Sequence, residues 1–289
     1  MDRAYRALSP DYPPQLRELR APPDPLYVRG DLSRGRSVAI VGTRKCSDEA
    51  ASYARCLARR LTEHGVVVWS GGAVGIDAAA HEGALEVGGI TVAVVATGLD
   101  GCYPPEHAGL YDRIVRAGGA IVSPFEPAAK ARYGAFHYRN GVLAALTEAT
   151  VLVQAKAKSG ARSTAAYARR LDRPLFVVPA APWDENGRGN LIEIGRGGRI
   201  LASDAALLSF FGIVAGARAK ASDREDRDAD LSLACEKVLA LAGVAPLCLD
   251  DLCARSGLPA PLVQQALLTL TLRAVLVEGP SGWYRKATA

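Results

Sequence analysis

Residues 66–85, VVVWSGGAVGIDAAAHEGAL, constrain the fold more than any other stretch of the chain. Four apolar residues and a serine form a run short and apolar enough for a strand buried on both faces. The run breaks at Ser70-Gly71-Gly72-Ala73-Val74-Gly75 and resumes as an alanine-rich segment from Ile76 to Leu85, with Asp77 near its start. That order reads as strand, glycine turn, helix. Such a junction gathers backbone N–H groups and a positive helix end at one point, which suits a phosphate. Small residues let an anion come close to the backbone. The turn is neither GxGxxG nor a Walker A loop. Plainer readings therefore stand beside the phosphate reading: a turn that only reverses the chain, Asp77 as a first-turn acid, and His81 closing a local hydrogen bond.

The unit recurs. Val38–Val41 ends in Gly42-Thr43-Arg44, and Ser47 is placed to cap a helix running to about His64, with Asp48 and Glu49 in its first turn. Further strands are predicted at 91–96, 120–123, 149–154 and 174–178, and helices at 106–117, 140–147 and 165–171. Short apolar strands alternating with helices predict a doubly wound, mainly parallel α/β sheet. Arg44 then sits at the carboxyl end of a strand, where open α/β sheets place ligands, and is a candidate phosphate contact. Lys156 to Thr164 forms a second, basic junction of the same kind.

Pro124 to Tyr138 reads as a long loop carrying Lys130, Arg132, Tyr133, Phe136, His137 and Tyr138, with Arg139 just after it. Cations interleaved with rings suit a single-stranded nucleic acid, whose backbone the charges track and whose bases the rings stack upon. The alternative is that the rings plug onto the sheet.

The 289 residues leave room for one large domain and one small one. Residues 1–30, with prolines at 13, 14, 22, 23 and 25, cannot form a continuous helix; they are expected to pack on the core, with a short strand at Leu26–Val28. Residues 31–212 form the main domain. Residues 213–230 are polar and alternately charged, as in a flexible linker. Residues 231–289 run helix, short helix, turn, helix, hairpin, the order of a winged helix. The last of these helices offers only Arg273, Gln264 and Gln265 to a base edge, which favours a protein contact or a structural role over a major-groove reader. A net charge of +5 permits nucleic-acid binding. The six cysteines are scattered without a CxxC pair, so neither a disulfide framework nor a zinc site is expected; Cys248 and Cys253 read as small buried residues. No apolar run reaches membrane length and the N-terminus lacks a hydrophobic signal region, which predicts a cytoplasmic protein without a membrane partner.

Six segments together resemble the DNA-processing protein A family of bacterial single-stranded DNA binders that serve natural transformation. They are VGTR at 41–44, SGGAVGIDAAAH at 70–81, TGLDGCYPPEH at 97–107, FHYRN at 136–140, KSGARSTAAYA at 158–168 and GNLIEIG at 189–195. The resemblance covers about residues 10–211, and the tail is similar to the family's winged-helix domain. It implies an extended Rossmann-like domain that binds single-stranded DNA without base specificity, forms a homodimer and loads the RecA recombinase during DNA uptake and recombination. It implies no cofactor, metal or catalytic residue. Carried over by motif, Arg44 with Gly42 and Thr43 would hold a phosphate, helped by the turn Ser70, Gly71, Gly72. Phe136 would stack near a base, Arg139 and Asn140 would bind backbone, and Lys158, Ser159 and Gly160 would form a second anion-binding turn.

The chain departs from the family pattern at Gly141, where a second arginine is usual, at Pro124 after Ser123, at Gln154, and at Pro179-Ala180. Lys158 or Arg162 could supply the charge missing at Gly141. The competing reading is enzymatic. The fold also resembles the LOG-type nucleotide phosphoribohydrolases, but SGARSTAAY puts Ala166 and Tyr167 where their motif has a glutamate, leaving Asp77 and Glu82 as spare carboxylates. A third reading is a sensor that binds a nucleotide without turning it over.

Overall fold

The apolar runs at 38–41, 67–70, 91–94, 120–123 and 149–152 are buried along their whole length, and each becomes a strand with neighbours on both sides. In the computed structural model, residues 2–32, 35–213, 231–243, 246–273, 275–279 and 282–285 are described. The chain divides into two compact units, 1–214 and 215–289. Most of the expected linker, residues 214–230, lies outside the described residues.

Among the described residues the first unit holds nine strands: β1 (Asp2–Tyr5), β2 (Leu26–Gly30), β3 (Ser37–Val41), β4 (Val67–Ser70), β5 (Thr91–Val94), β6 (Ala120–Ser123), β7 (Ala149–Leu152), β8 (Leu175–Val177) and β9 (Arg199–Ile200). Their order across one sheet is β1-β2-β6-β5-β4-β3-β7-β8-β9. From β6 to β9 every pairing is parallel. At the other edge β2 pairs antiparallel with β6, and β1 antiparallel with β2. The chain builds outward from β3 to β6, then returns to the opposite side of β3 with β7. β3 and β7 therefore flank the switch point of a doubly wound sheet, where a crevice opens beyond the strand ends.

Alternation along each strand separates two cores. Ala39 and Val41 face one layer with Trp69, Val92, Val142 and Leu143. Val38 and Ile40 face the other with Leu57, Leu61, Ile76 and Ala80. The first layer is covered by the helices α4 (Tyr133–Leu146) and α5 (Ala161–Arg170) and by the N-terminal segment, whose Tyr12 and Leu16 are fully buried in it. Tyr12 donates to Pro23 O at 2.6 Å, and Tyr138 donates to Ala21 O at 3.0 Å. The second layer is covered by α1 (Asp48–Glu63), α2 (Ile76–Glu86) and α7 (Ala205–Phe210). α3 (Ala108–Arg116) packs on β5 and β6, and α6 (Arg188–Gly195) follows β8. Ser47 caps α1 as expected, its Oγ accepting from Ala50 N at 3.3 Å.

Three local expectations change. The segment 133–138 is not loop but the start of α4, so Phe136, His137 and Tyr138 stand on a helix; the side chain of Tyr133 lies outside what is described. α5 begins at Ala161 rather than Ala165. Cys248 is exposed, its Sγ 3.2 Å from Asp251 Oδ2, and Cys253 is half-buried; neither is a core residue.

The second unit holds α8 (231–241), α9 (Leu249–Ser256), α10 (Ala260–Leu272) and the antiparallel pair β10 (Leu276–Gly279) and β11 (Gly282–Arg285). Leu247 bridges to Trp283. This is a winged helix around Val238, Leu252, Val263 and Leu267. On the outer face of α10, Leu268 and Leu272 are 62% and 79% exposed beside Gln265, so that surface is apolar rather than basic.

Candidate nucleic-acid interface

The two strand-to-helix turns that end β3 and β4 meet each other before either meets solvent. Gly75, at φ 84°, lies so close to the Thr43 and Arg44 carbonyls that a Cβ there would stand 2.5 Å from Thr43 O. Ile76 N donates to Thr43 O at 3.3 Å. The Asp77 carboxylate turns inward and accepts from Gly71 N at 3.1 Å. Gly72 O accepts from His107 Nδ1 at 2.8 Å and from Tyr111 OH at 3.1 Å. Ser70 is fully buried and donates to Ile40 O at 2.6 Å. The Ser70-Gly71-Gly72 turn thus has internal partners where the motif reading gave it a phosphate.

What the β4 turn supports is a crevice in front of it, about 620 Å³, opening at the β3–β7 switch point. Gly42, Thr43, Arg44, Phe136, Arg139, Asn140, Lys158, Ser159 and Gly160 line it together; Ser70, Gly71 and Gly72 do not. Arg44 is exposed, with its guanidinium carbon 4.9 Å from the centroid of the Phe136 ring. Tyr103, 42% exposed, meets the same ring edge-on at 5.4 Å. Lys156 and Lys158 are exposed on the opposite wall. Among the described residues, none of Arg44, Lys156 and Lys158 forms an ion pair. Free cations beside a half-open ring suit a phosphate chain with unstacked bases. Lys156 is a member of this surface that lies outside the motif segments, whereas His137 and Tyr103 lie within them without an assigned role. The signal for Lys156 is its place immediately after a buried strand end, in the same basic turn as Lys158.

Arg139 and Asn140 line the crevice but are held from behind. Arg139 is 4% exposed, and its Nη1 donates to Gly71 O and Val94 O. Burial pushes its pKa down while Asp77 opposes the shift; burial likewise pushes Asp77 up against the pull of Arg139 and of backbone N–H donors. Each charge makes the other tolerable in the interior. Asn140 Nδ2 donates to Ser163 Oγ at 2.6 Å and to Gly160 O at 3.2 Å, tying α4 to the Lys158–Gly160 turn. Both residues position the crevice wall in the observed arrangement.

The α5 side is braced from below. Glu193, 1% exposed, accepts from Arg162 Nε at 2.8 Å and from Arg169. Arg162 also donates to Ala157 O. Arg162 is therefore committed to this brace, and Lys158 is left as the free cation of the two considered for the charge absent at Gly141. Asn190 is buried and joins the ends of β7 and β8: its Oδ1 accepts from Ala155 N at 2.8 Å, and its Nδ2 donates to Val153 O and Val178 O, both at 2.8 Å. Gly141 itself faces Tyr167, whose ring a Cβ would approach to 2.9 Å. Tyr167 lies against His137 at 5.3 Å, with Arg170 over the ring at 5.1 Å. A long side chain at 141 would displace that ring. Gln154 does the work of an acidic residue as acceptor: its Oε1 accepts from Ser47 N at 3.0 Å while its carbonyl accepts from Thr43 N.

The profile of the DNA recombination-mediator protein A family matches residues 4–212, and that of the DprA winged helix domain matches 222–282. Protein Smf of Synechocystis is 32% identical over 96% of this chain and 78% of its own length. DNA processing protein A of Streptococcus pneumoniae, in a crystal structure, superposes with a TM-score of 0.67 at 32% identity, covering 72% of this chain and 73% of that one. The Helicobacter pylori protein, whose structure is described as revealing a single-stranded DNA binding mode, gives 0.65 at 30% identity over 73% of this chain and 95% of that one. With both units matched in order, and with the switch-point crevice lined by the family's motifs, the chain belongs to the DNA-processing protein A family.

Proposed function

We propose that this protein binds single-stranded DNA without base specificity in the switch-point crevice, shields it, and acts as a mediator that loads RecA. The observation that carries the binding reading is the pairing of unpartnered cations with an accessible ring: Arg44 against Phe136 on one wall, Lys156 and Lys158 on the other. Cations hold successive phosphates, the ring stacks on a base of any identity, and no base-edge reader is required. The mediator role agrees with the family's description as a recombination mediator; RecA as its client and the homodimer are carried over from the resemblance of the motifs alone. The apolar outer face of α10 supports a protein contact for the winged helix in preference to major-groove reading.

The nucleotide-hydrolase reading is disfavoured by where its carboxylates stand. Asp77 accepts from Gly71 N and is offset by the nearby charge of Arg139, and Glu82 is paired with Arg113 at 2.9 Å. Fluorescence anisotropy with labelled thymine oligonucleotides, competed by duplex and by nucleoside monophosphates, tests the choice. Affinity should rise with strand length, with duplex and mononucleotide competing poorly. Tight mononucleotide binding with no gain from length would replace the strand binder with a nucleotide site.

A further inference from the structure

The crevice accounts for one ring on the ligand edge of the sheet and leaves a larger one unexplained. Trp183 is 85% exposed, in the loop that leaves the carboxyl end of β8. β8 lies beside β7 and parallel to it, so this loop emerges on the same edge as the Lys156–Gly160 turn. The base of the loop is stitched to that turn. Gly189 N donates to Ala155 O at 2.7 Å, and Asn190 joins Ala155 N to Val178 O.

The loop that presents the indole is ordered by its own bonds. Asp184 N donates to Ala181 O at 2.9 Å, Asn186 N to Asp184 Oδ1 at 2.8 Å, and Gly187 N to Asp184 O at 3.1 Å. The neighbouring acids are engaged locally, Asp184 with Asn186 and Glu185 with Arg188 at 3.0 Å. A fixed turn thus holds out a side chain that buries a large apolar area in most folds and contributes little here to the core.

We propose that Trp183 is a second base-stacking residue, and that a single strand held by Arg44, Phe136, Lys156 and Lys158 runs along the carboxyl edge of the sheet from β3 across β7 to β8. This rests on the strand-binding reading above. Two interstrand steps span roughly 10 Å, to which the loop adds its own reach, so Trp183 meets a base beyond the nearest neighbour of the one on Phe136.

The protein carries three tryptophans, of which Trp69 is buried in the core and Trp283 belongs to the second unit. The test is therefore intrinsic fluorescence with anisotropy, using thymine oligonucleotides of about two and about twelve nucleotides. The longer strand should quench emission in the native protein. Trp183→Ala should abolish that quench and weaken the longer strand roughly fivefold to 150-fold, as loss of one stacked base does, while leaving the shorter strand unchanged. Trp183→Phe should restore affinity without the quench. If Trp183→Ala follows the native protein at both lengths and keeps the quench, the proposal is overturned and the crevice reading stands. If the native protein gains nothing from length, both fall. Unchanged strand affinity with loss of a dimer in sedimentation would assign the indole to a second copy of the chain and overturn the proposal.

Discussion

Arg139 carries a charge at a position of α4 that otherwise belongs to the core, and the site depends on it being there. Its guanidinium gathers the Gly71 and Val94 carbonyls and faces the Asp77 carboxylate, so the ends of β4 and β5 and the start of α2 are joined through one side chain. The Arg44 guanidinium, by contrast, lies over the Phe136 ring and forms no ion pair among the described residues. The two arginines should fail differently. Arg139→Ala leaves two buried carbonyls and a buried carboxylate uncompensated, and should lower unfolding stability by about 3 kcal/mol or more. Urea denaturation checks this, with Asp77→Ala combined with Arg139→Ala expected to cost less than the sum of the two single changes. A stability loss under about 1 kcal/mol for Arg139→Ala would show that the guanidinium is not a structural post.

At the scale of elements, the strands from β2 to β8 were readable from their apolar runs, and so was the second half of α4, but its first two turns were not. Ala135, Arg139, Val142 and Leu146 form its buried stripe, and an arginine within that stripe, with glycines at 134 and 141, hides the helical period. The start of α5 was hidden similarly, because Ser159 and Gly160 read as turn residues until Asn140 is seen holding Gly160 O and Ser163 Oγ. The glycine turn after β4 was legible as a turn, but the inward direction of Asp77 depends on Arg139, distant in sequence. The local reading of His81 holds. His81 is buried in α2 with Nδ1 2.7 Å from Thr91 Oγ1, whose own hydrogen goes to Val68 O at 2.6 Å. The imidazole therefore donates through Nδ1. Burial first, then His107 and Arg139, push its pKa from 6.5 down to about 3. The unfolded chain takes up this proton near pH 6.5 and the folded chain only near 3, so stability is intact above pH 6.5 and declines as pH falls toward 3. At pH 5 the loss due to His81 should be about 2 kcal/mol. His81→Asn, which can still donate to Thr91, should remove that part of the acid sensitivity. Identical pH profiles for the two proteins in urea melts would refute the assignment.

For the whole molecule, the strand order decides where function can sit. The parallel sheet reverses direction of growth at β3, and the crevice forms where β3 and β7 end side by side. Three chain segments reach this point, Gly42–Arg44 from early in the domain and Phe136–Asn140 and Lys156–Gly160 from much later in it. The motifs named most of the residues on its walls, because each lies at a strand end or on the helix between the two junctions. They could not tell an exposed contact from a support behind it, since that depends on which side chains the other motifs bury. Lys158 and Arg162 have the same charge four residues apart, yet Glu193 takes one and leaves the other to solvent.

The account stands on Arg44 and Lys158 meeting phosphate, and salt dependence reads that contact directly. Thymine-oligonucleotide affinity should be measured across a series of salt concentrations for the native protein, Arg44→Ala, Lys158→Ala and Phe136→Ala. Each lost phosphate contact should make the slope of log K against log salt shallower by about 0.7. Arg44→Ala and Lys158→Ala are therefore predicted to weaken binding and flatten the slope, and Phe136→Ala to weaken binding at a nearly unchanged slope. Native affinity and slope in both charge variants would contradict the account and place the strand elsewhere on the protein.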